Sequence, residues 1–93
     1  MYITEYADIR GNAGFVPPIA EQAVTFTTST QSAAFNANTR FVRLHTDAIC
    51  SIQFGENPTA TTAHARMAAN QTEYFAVRHG KATTDKVAAV TNT

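Results

Sequence analysis

The groups in this chain able to carry reactive chemistry are few: His45, His64, His79, Cys50, a handful of serines and a scattering of carboxylates. The histidines are the only side chains whose ordinary titration falls near neutrality. A zinc centre needs three or four ligands, commonly with a short spacing such as H-x₃₋₅-H, and no two of these histidines have it. Cys50 alternates in phase with Ile52 and Phe54, which predicts a core position, where a free cysteine acts as a small hydrophobe. Nucleophilic catalysis would require a Ser, Cys or Thr beside a base and an orienting acid. Ser29 and Ser32 lie in a polar, turn-like stretch, and Ser51 is expected to point outward from a strand. None has the glycine pattern of a nucleophile elbow. No spacing singles out a pair among Asp8, Glu21, Asp47, Glu56 and Glu73 for acid–base work. The four glycines never cluster, which argues against a phosphate-cradling loop. These residues predict no enzyme, no metal and no cofactor.

The second chemistry to consider is recognition. Arginine and aromatic residues are enriched at interface hot spots. Phe41, Arg43 and His45 share one face of a strand-like run, opposite Val42 and Leu44, and Tyr74 projects outward from a later run. That face is either a mixed surface covered by arginine stems or a protein contact surface. The first twenty residues hold Gly11, Gly14, Pro17 and Pro18, which oppose a continuous helix or central strand. They also hold Tyr2, Ile3, Tyr6, Ile9, Phe15, Val16 and Ile19, too apolar a set for a solvated tail. The segment is either an extended first strand and loop on its own domain or an arm laid across a neighbouring subunit. The expected contact residues are Tyr2, Ile3, Tyr6, Phe15, Val16, Phe41, Arg43 and Tyr74.

The elements that must position these groups are short strands. The chain has 93 residues, room for one domain, with 17 alanines, 15 threonines and a single leucine, Leu44. Threonine favours strands through its β-branch, and helical bundles need leucine-rich stripes that are missing here. Expected strands fall at Glu21–Thr28, Thr39–Thr46, Ala48–Phe54, His64–Ala68, Thr72–Arg78 and Ala82–Val90. A turn or short edge is expected within Gln31–Asn38 and a loop over Glu56–Ala63, with Asn57-Pro58 and Asn70-Gln71 as turn signals. His79-Gly80-Lys81 reads as a hairpin-type turn, since glycine readily takes positive φ. No segment offers a crossover helix for a parallel sheet. The fold expected is all-β: a small antiparallel β-sandwich or jelly-roll-like barrel of six to eight short strands. An extended arm over residues 1–20 precedes a single β-sandwich domain over 21–93.

Seven basic and seven acidic residues give zero formal charge, and no basic stripe suggests a nucleic-acid partner. One cysteine permits no internal disulfide. The start of the chain lacks the apolar stretch of a signal peptide, and no apolar run approaches the roughly 20 residues that span a bilayer. A cytoplasmic site of synthesis and assembly is expected, without membrane partner or small-molecule substrate. With 20 large apolar residues, counted as Ile, Val, Phe, Met and Leu, the core should be thin and gain from a partner surface.

Within TRFVRLHTDAICSIQFGENPTATTAHARMAANQTEYFAV, three elements carry a resemblance. They are a Thr-Arg-aromatic-Val-Arg strand, a Cys-x-Ile-x-Phe-Gly strand followed by Asn-Pro-Thr-Ala, and an Ala-Asn-x-x-Glu-Tyr-Phe strand. Together they resemble small virion proteins of tailed bacteriophages, over roughly Gln31 to Val90. The resemblance implies a β-sandwich subunit on the outer surface of a phage capsid. The type favoured is a cement or decoration protein that clips across junctions of the major capsid protein as a dimer or trimer. It implies no catalytic residue. A head–tail connector or tail component, and a carbohydrate- or receptor-binding sandwich module, are the alternatives.

Overall fold

The computed structural model describes residues 1–7 and 18–92, and these contain eight strands and no helix. In chain order the strands are β1 (Tyr2–Tyr6), β2 (Ala20–Ala23), β3 (Thr30–Gln31), β4 (Phe41–Thr46), β5 (Cys50–Gly55), β6 (Ala65–Met67), β7 (Gln71–Ala76) and β8 (Lys86–Thr91). They pair antiparallel throughout, in one sheet of order β2-β1-β4-β7 and a second of order β3-β8-β5-β6. Sequence patterning locates β4, β5, β6 and β7 to within two residues, whereas the expected Glu21–Thr28 overruns β2 by five residues and Ala82–Val90 begins four residues before β8.

Five of the seven connections change sheets, and only β1–β2 and β5–β6 stay within one. Counted from β2 round to β1, one sheet holds the first, eighth, third and sixth strands, and the other the second, seventh, fourth and fifth. That is the strand order of an eight-stranded jelly roll, its ring of connections opened between β8 and β1. The turn at His79-Gly80 is present, with Gly80 at φ 72° and Lys81 N–H donating to Arg78 C=O at 3.1 Å. It does not close a hairpin, however, because β7 and β8 belong to different sheets. Asn70 sits at φ 61° in the turn between β6 and β7, a conformation asparagine tolerates better than most residues.

Alternation along each strand sorts the side chains. Ile3, Val42, Leu44 and Phe75 face inward from one sheet, and Cys50, Ile52, Phe54, Met67, Val87 and Ala89 from the other. Val24, Phe26, Phe35, Val77 and Ala82 close the core from the connections. Phe54 and Phe75 meet across the two sheets with ring centroids 5.1 Å apart and planes at 53°, a tilted packing favoured by ring quadrupoles. Cys50 is fully buried, as its parity with Ile52 and Phe54 requires, and burial pushes its thiol pKa up.

The beginning of the chain is an inner strand of a sheet. β1 pairs with β2 on one side and β4 on the other, and the Met1 amino group donates to Val24 C=O at 2.7 Å. The boundary expected after residue 20 therefore does not set Tyr2–Tyr6 apart from the sandwich. Of the two readings of this stretch, an extended first strand on its own domain describes β1; the turn residues that oppose a central strand come later. Glu5, facing inward and buried, is satisfied at one oxygen by Thr39 Oγ and Asn36 N–H, both at 2.7 Å. That carboxylate ties β1 to the loop entering β4.

Candidate functional site

The two outer faces of the sandwich differ. On the sheet β3-β8-β5-β6 the residues pointing outward are small where the chain recrosses them: Ser51 and Ala88 are fully buried. The connection at residues 56–64 lies over this face. Gln31 Nε2 donates to Asn57 Oδ1 at 2.8 Å and to Pro58 C=O at 2.9 Å, and Ala60 N–H donates to Ser29 Oγ at 2.9 Å. Ser51 is thus not an exposed hydroxyl, as strand parity alone suggests. Its Oγ accepts from Asn92 Nδ2 at 2.8 Å. The Asn57-Pro58-Thr59-Ala60 segment, within the loop expected over Glu56–Ala63, works as a strap over the sheet.

The sheet β2-β1-β4-β7 presents the other face. Its register sets out three rows of outward residues. The first row runs Ala23, Tyr2, His45, Thr72; the second Glu21, Thr4, Arg43, Tyr74; the third Tyr6, Phe41, Ala76. All three tyrosines of the chain lie here, with Phe41 beside Tyr6 and Arg43 directly across from Tyr74. Tyr2 and Tyr74 are 52% and 53% exposed, whereas Tyr6 is buried and Phe41 and Arg43 are half-buried. Strand spacing places Tyr2 and Tyr74 about 12 Å apart, on either side of the Arg43–His45 pair.

The upper row is held by polar contacts. His45 Nδ1 lies 2.8 Å from Thr72 Oγ1, its Nε2 lies 3.3 Å from Asp47 Oδ1, and its ring is tilted 36° to that of Tyr2 at 6.3 Å. The His45 orientation is therefore set from both ring nitrogens, giving Tyr2 a fixed neighbour. A pattern of rigid aromatic groups around an arginine suits protein recognition, because little rotamer entropy is lost on contact.

Five of the residues singled out on sequence, Tyr2, Tyr6, Phe41, Arg43 and Tyr74, come together on this one face. Ile3 does not: it points between the sheets and is buried in the core, because β1 is a paired strand whose alternate residues face inward. Phe15 and Val16 lie outside the described residues. His45 and Glu21 join the face without having been singled out as contacts, Thr4 lies in its middle row but is buried, and the parity of β4 was the signal for His45. The histidines stay apart: His64 precedes β6, with its Nδ1 accepting from Thr61 N–H at 3.0 Å, and His79 sits in the turn after β7. Among the described residues no group of three or more His, Cys, Asp or Glu is placed to hold a metal ion.

A cavity of about 200 Å³ opens at the far end of the sandwich, lined by Thr39, Arg40, Arg78, His79, Gly80 and Thr83. Its basic character is partly spent within the fold, since the Arg78 guanidinium donates to Asp85 at 2.8 and 2.5 Å. Compared with protein-family models, curated proteins and solved structures, the chain matches none.

Proposed function

We propose that this β-sandwich is a structural virion subunit of the capsid decoration type. It would bind across junctions of a phage major capsid protein through the outer face of the β2-β1-β4-β7 sheet. The observation that carries the reading is the gathering of Tyr2, Tyr6, Phe41, Arg43 and Tyr74 on that face, while the opposite sheet is strapped over by residues 56–64. Tyrosine and arginine are enriched among the residues that contribute most at protein interfaces. The jelly-roll order supports the reading at the level of fold analogy alone, since viral capsid domains share it. In this role the domain adds buried area across junctions and performs no bond-making step. Its place is the outer surface of the particle, assembled in the host cytoplasm.

The reading is tested by counting. In virions purified from cells that make the protein, a stained gel should show it in proportion to the major capsid protein. Absence from the particle would overturn the proposal. A count fixed at about a dozen would instead indicate a connector ring with closed cyclic symmetry.

A carbohydrate-binding module is the second reading, favoured by the two exposed tyrosines flanking Arg43 and His45. Selective hits on a glycan array, abolished by Tyr74→Ala, would move the assignment there.

A further inference from the structure

The two sheets have four edge strands: β2 and β7 in one, β3 and β6 in the other. Three are short, at four, two and three residues, and short edges are a standard protection against unwanted pairing. β7 is the exception. It is six residues long, QTEYFA, with neither proline nor lysine, and among the described residues no strand lies on its far side.

The direction of its free backbone groups follows from one hydrogen bond. Val77 N–H donates to Arg40 C=O at 2.8 Å, and the β4–β7 register makes Arg40 and Val77 opposite residues. Antiparallel pairs alternate between hydrogen-bonded and non-hydrogen-bonded, so Phe75 and Glu73 turn their backbone groups toward β4. Thr72, Tyr74 and Ala76 turn theirs away, to the open edge.

We propose that β7 pairs antiparallel with β7 of a second copy of this chain, joining two four-stranded sheets into one of eight strands across a two-fold axis. The axis passes beside Tyr74. In this register Tyr74 faces Tyr74 of the partner subunit, and Thr72 and Ala76 exchange partners, so all three open positions are used. The register one step toward the start of β7 would set two Glu73 carboxylates opposite each other, a destabilising cross-strand pair. The tyrosine-centred register instead places Glu73 across from Phe75 and adds an aromatic pair on the outer face. Glu73 points inward, where Gln71 Nε2 donates to its carboxylate, so the charge that often guards an edge is already partnered. A two-fold edge contact is isologous and closes at two copies. A strand pair about 20 Å long buries little beyond its backbone and Tyr74, so the dimer forms reversibly and depends on concentration. The inference does not rest on the virion reading: it concerns the isolated protein, and either can fail while the other stands.

Sedimentation of the full chain over a concentration series tests it, together with amide exchange residue by residue. The mass should rise from monomer to dimer. The amides of Thr72, Tyr74 and Ala76 should gain protection as it does, and those of Glu73 and Phe75 should not change. Ala76→Pro removes an N–H that no internal ladder bond uses, and with it two hydrogen bonds per dimer. Self-association should weaken about thirtyfold. A chain that stays monomeric at every concentration would overturn the proposal. So would a trimer, a dimer that Ala76→Pro leaves intact, or exchange at the three amides that ignores concentration.

Discussion

Asp85 shows how a single residue of this domain carries load. Its side chain is 3% exposed, and the Arg78 guanidinium that reaches it from the turn after β7 is 59% exposed. Hydrogen bonding by Arg78 holds the Asp85 carboxyl below the ordinary aspartate value, against the opposing effect of burial. The sign follows from linkage. A carboxyl with a lowered pKa in the folded state contributes stability above its unfolded value near 3.8 and loses it as pH falls through the lower folded value. Asp85→Asn should therefore lower stability at neutral pH. Its deficit relative to the parent protein should shrink as the solution is acidified through that window, as read by urea unfolding over a pH series. At this scale the sequence was informative about parity and silent about partners. Cys50 was placed in the core by alternation with Ile52 and Phe54. Nothing in the sequence pattern revealed that Asp85 would face Arg78, since the path of the β7–β8 connection that holds both is set by the crossover between sheets, or that Glu5 would anchor Thr39 from a segment 34 residues away.

Strands are the elements best marked in this chain. Period-two alternation at Phe41–Thr46 and Cys50–Gly55 is strong, while at Gln71–Ala76 it shows in burial rather than in hydropathy, and the Asn70 and Gly80 turns have local chemical causes. Which strands become neighbours is not local information. A turn such as His79-Gly80 serves equally well in a hairpin or in a crossover between sheets, and here the crossover won. Ser51 illustrates the same limit: parity correctly turned it away from the core, yet the 56–64 strap covers it. Gln31 is the residue that fastens that strap, through Asn57 and Pro58. Gln31→Ala should cost about 1–2 kcal/mol and speed amide exchange at Ala60, whose N–H is bonded to Ser29 beneath the strap. Unchanged exchange at Ala60 would mean that the strap is held elsewhere.

Taken as a whole, the molecule is a two-sheet sandwich with one outer face strapped by its own chain over Ser51 and Ala88 and one bearing an aromatic–arginine cluster. Phe41, Arg43 and Tyr74 could be nominated from the sequence because each lies at an outward position of a recognisable strand, whereas Tyr2 and Tyr6 entered as apolar residues of an extended arm. Their convergence could not, since Tyr2, Arg43 and Tyr74 come from three strands far apart in the chain that only the β1-β4-β7 pairing aligns. The same topology explains why Ile3 left the group: as the neighbour of Tyr2 on a paired strand, it must face the other way.

The central claim is that this face attaches the domain to a capsid. A reconstruction of the purified virion, at a resolution that orients the sandwich, tests it most directly. The account predicts density for the domain at junctions of the major capsid protein, with Tyr2, Arg43 and Tyr74 against the shell and the 56–64 strap toward solvent. A particle that lacks the domain, or one that carries it with this face turned to solvent, would contradict it.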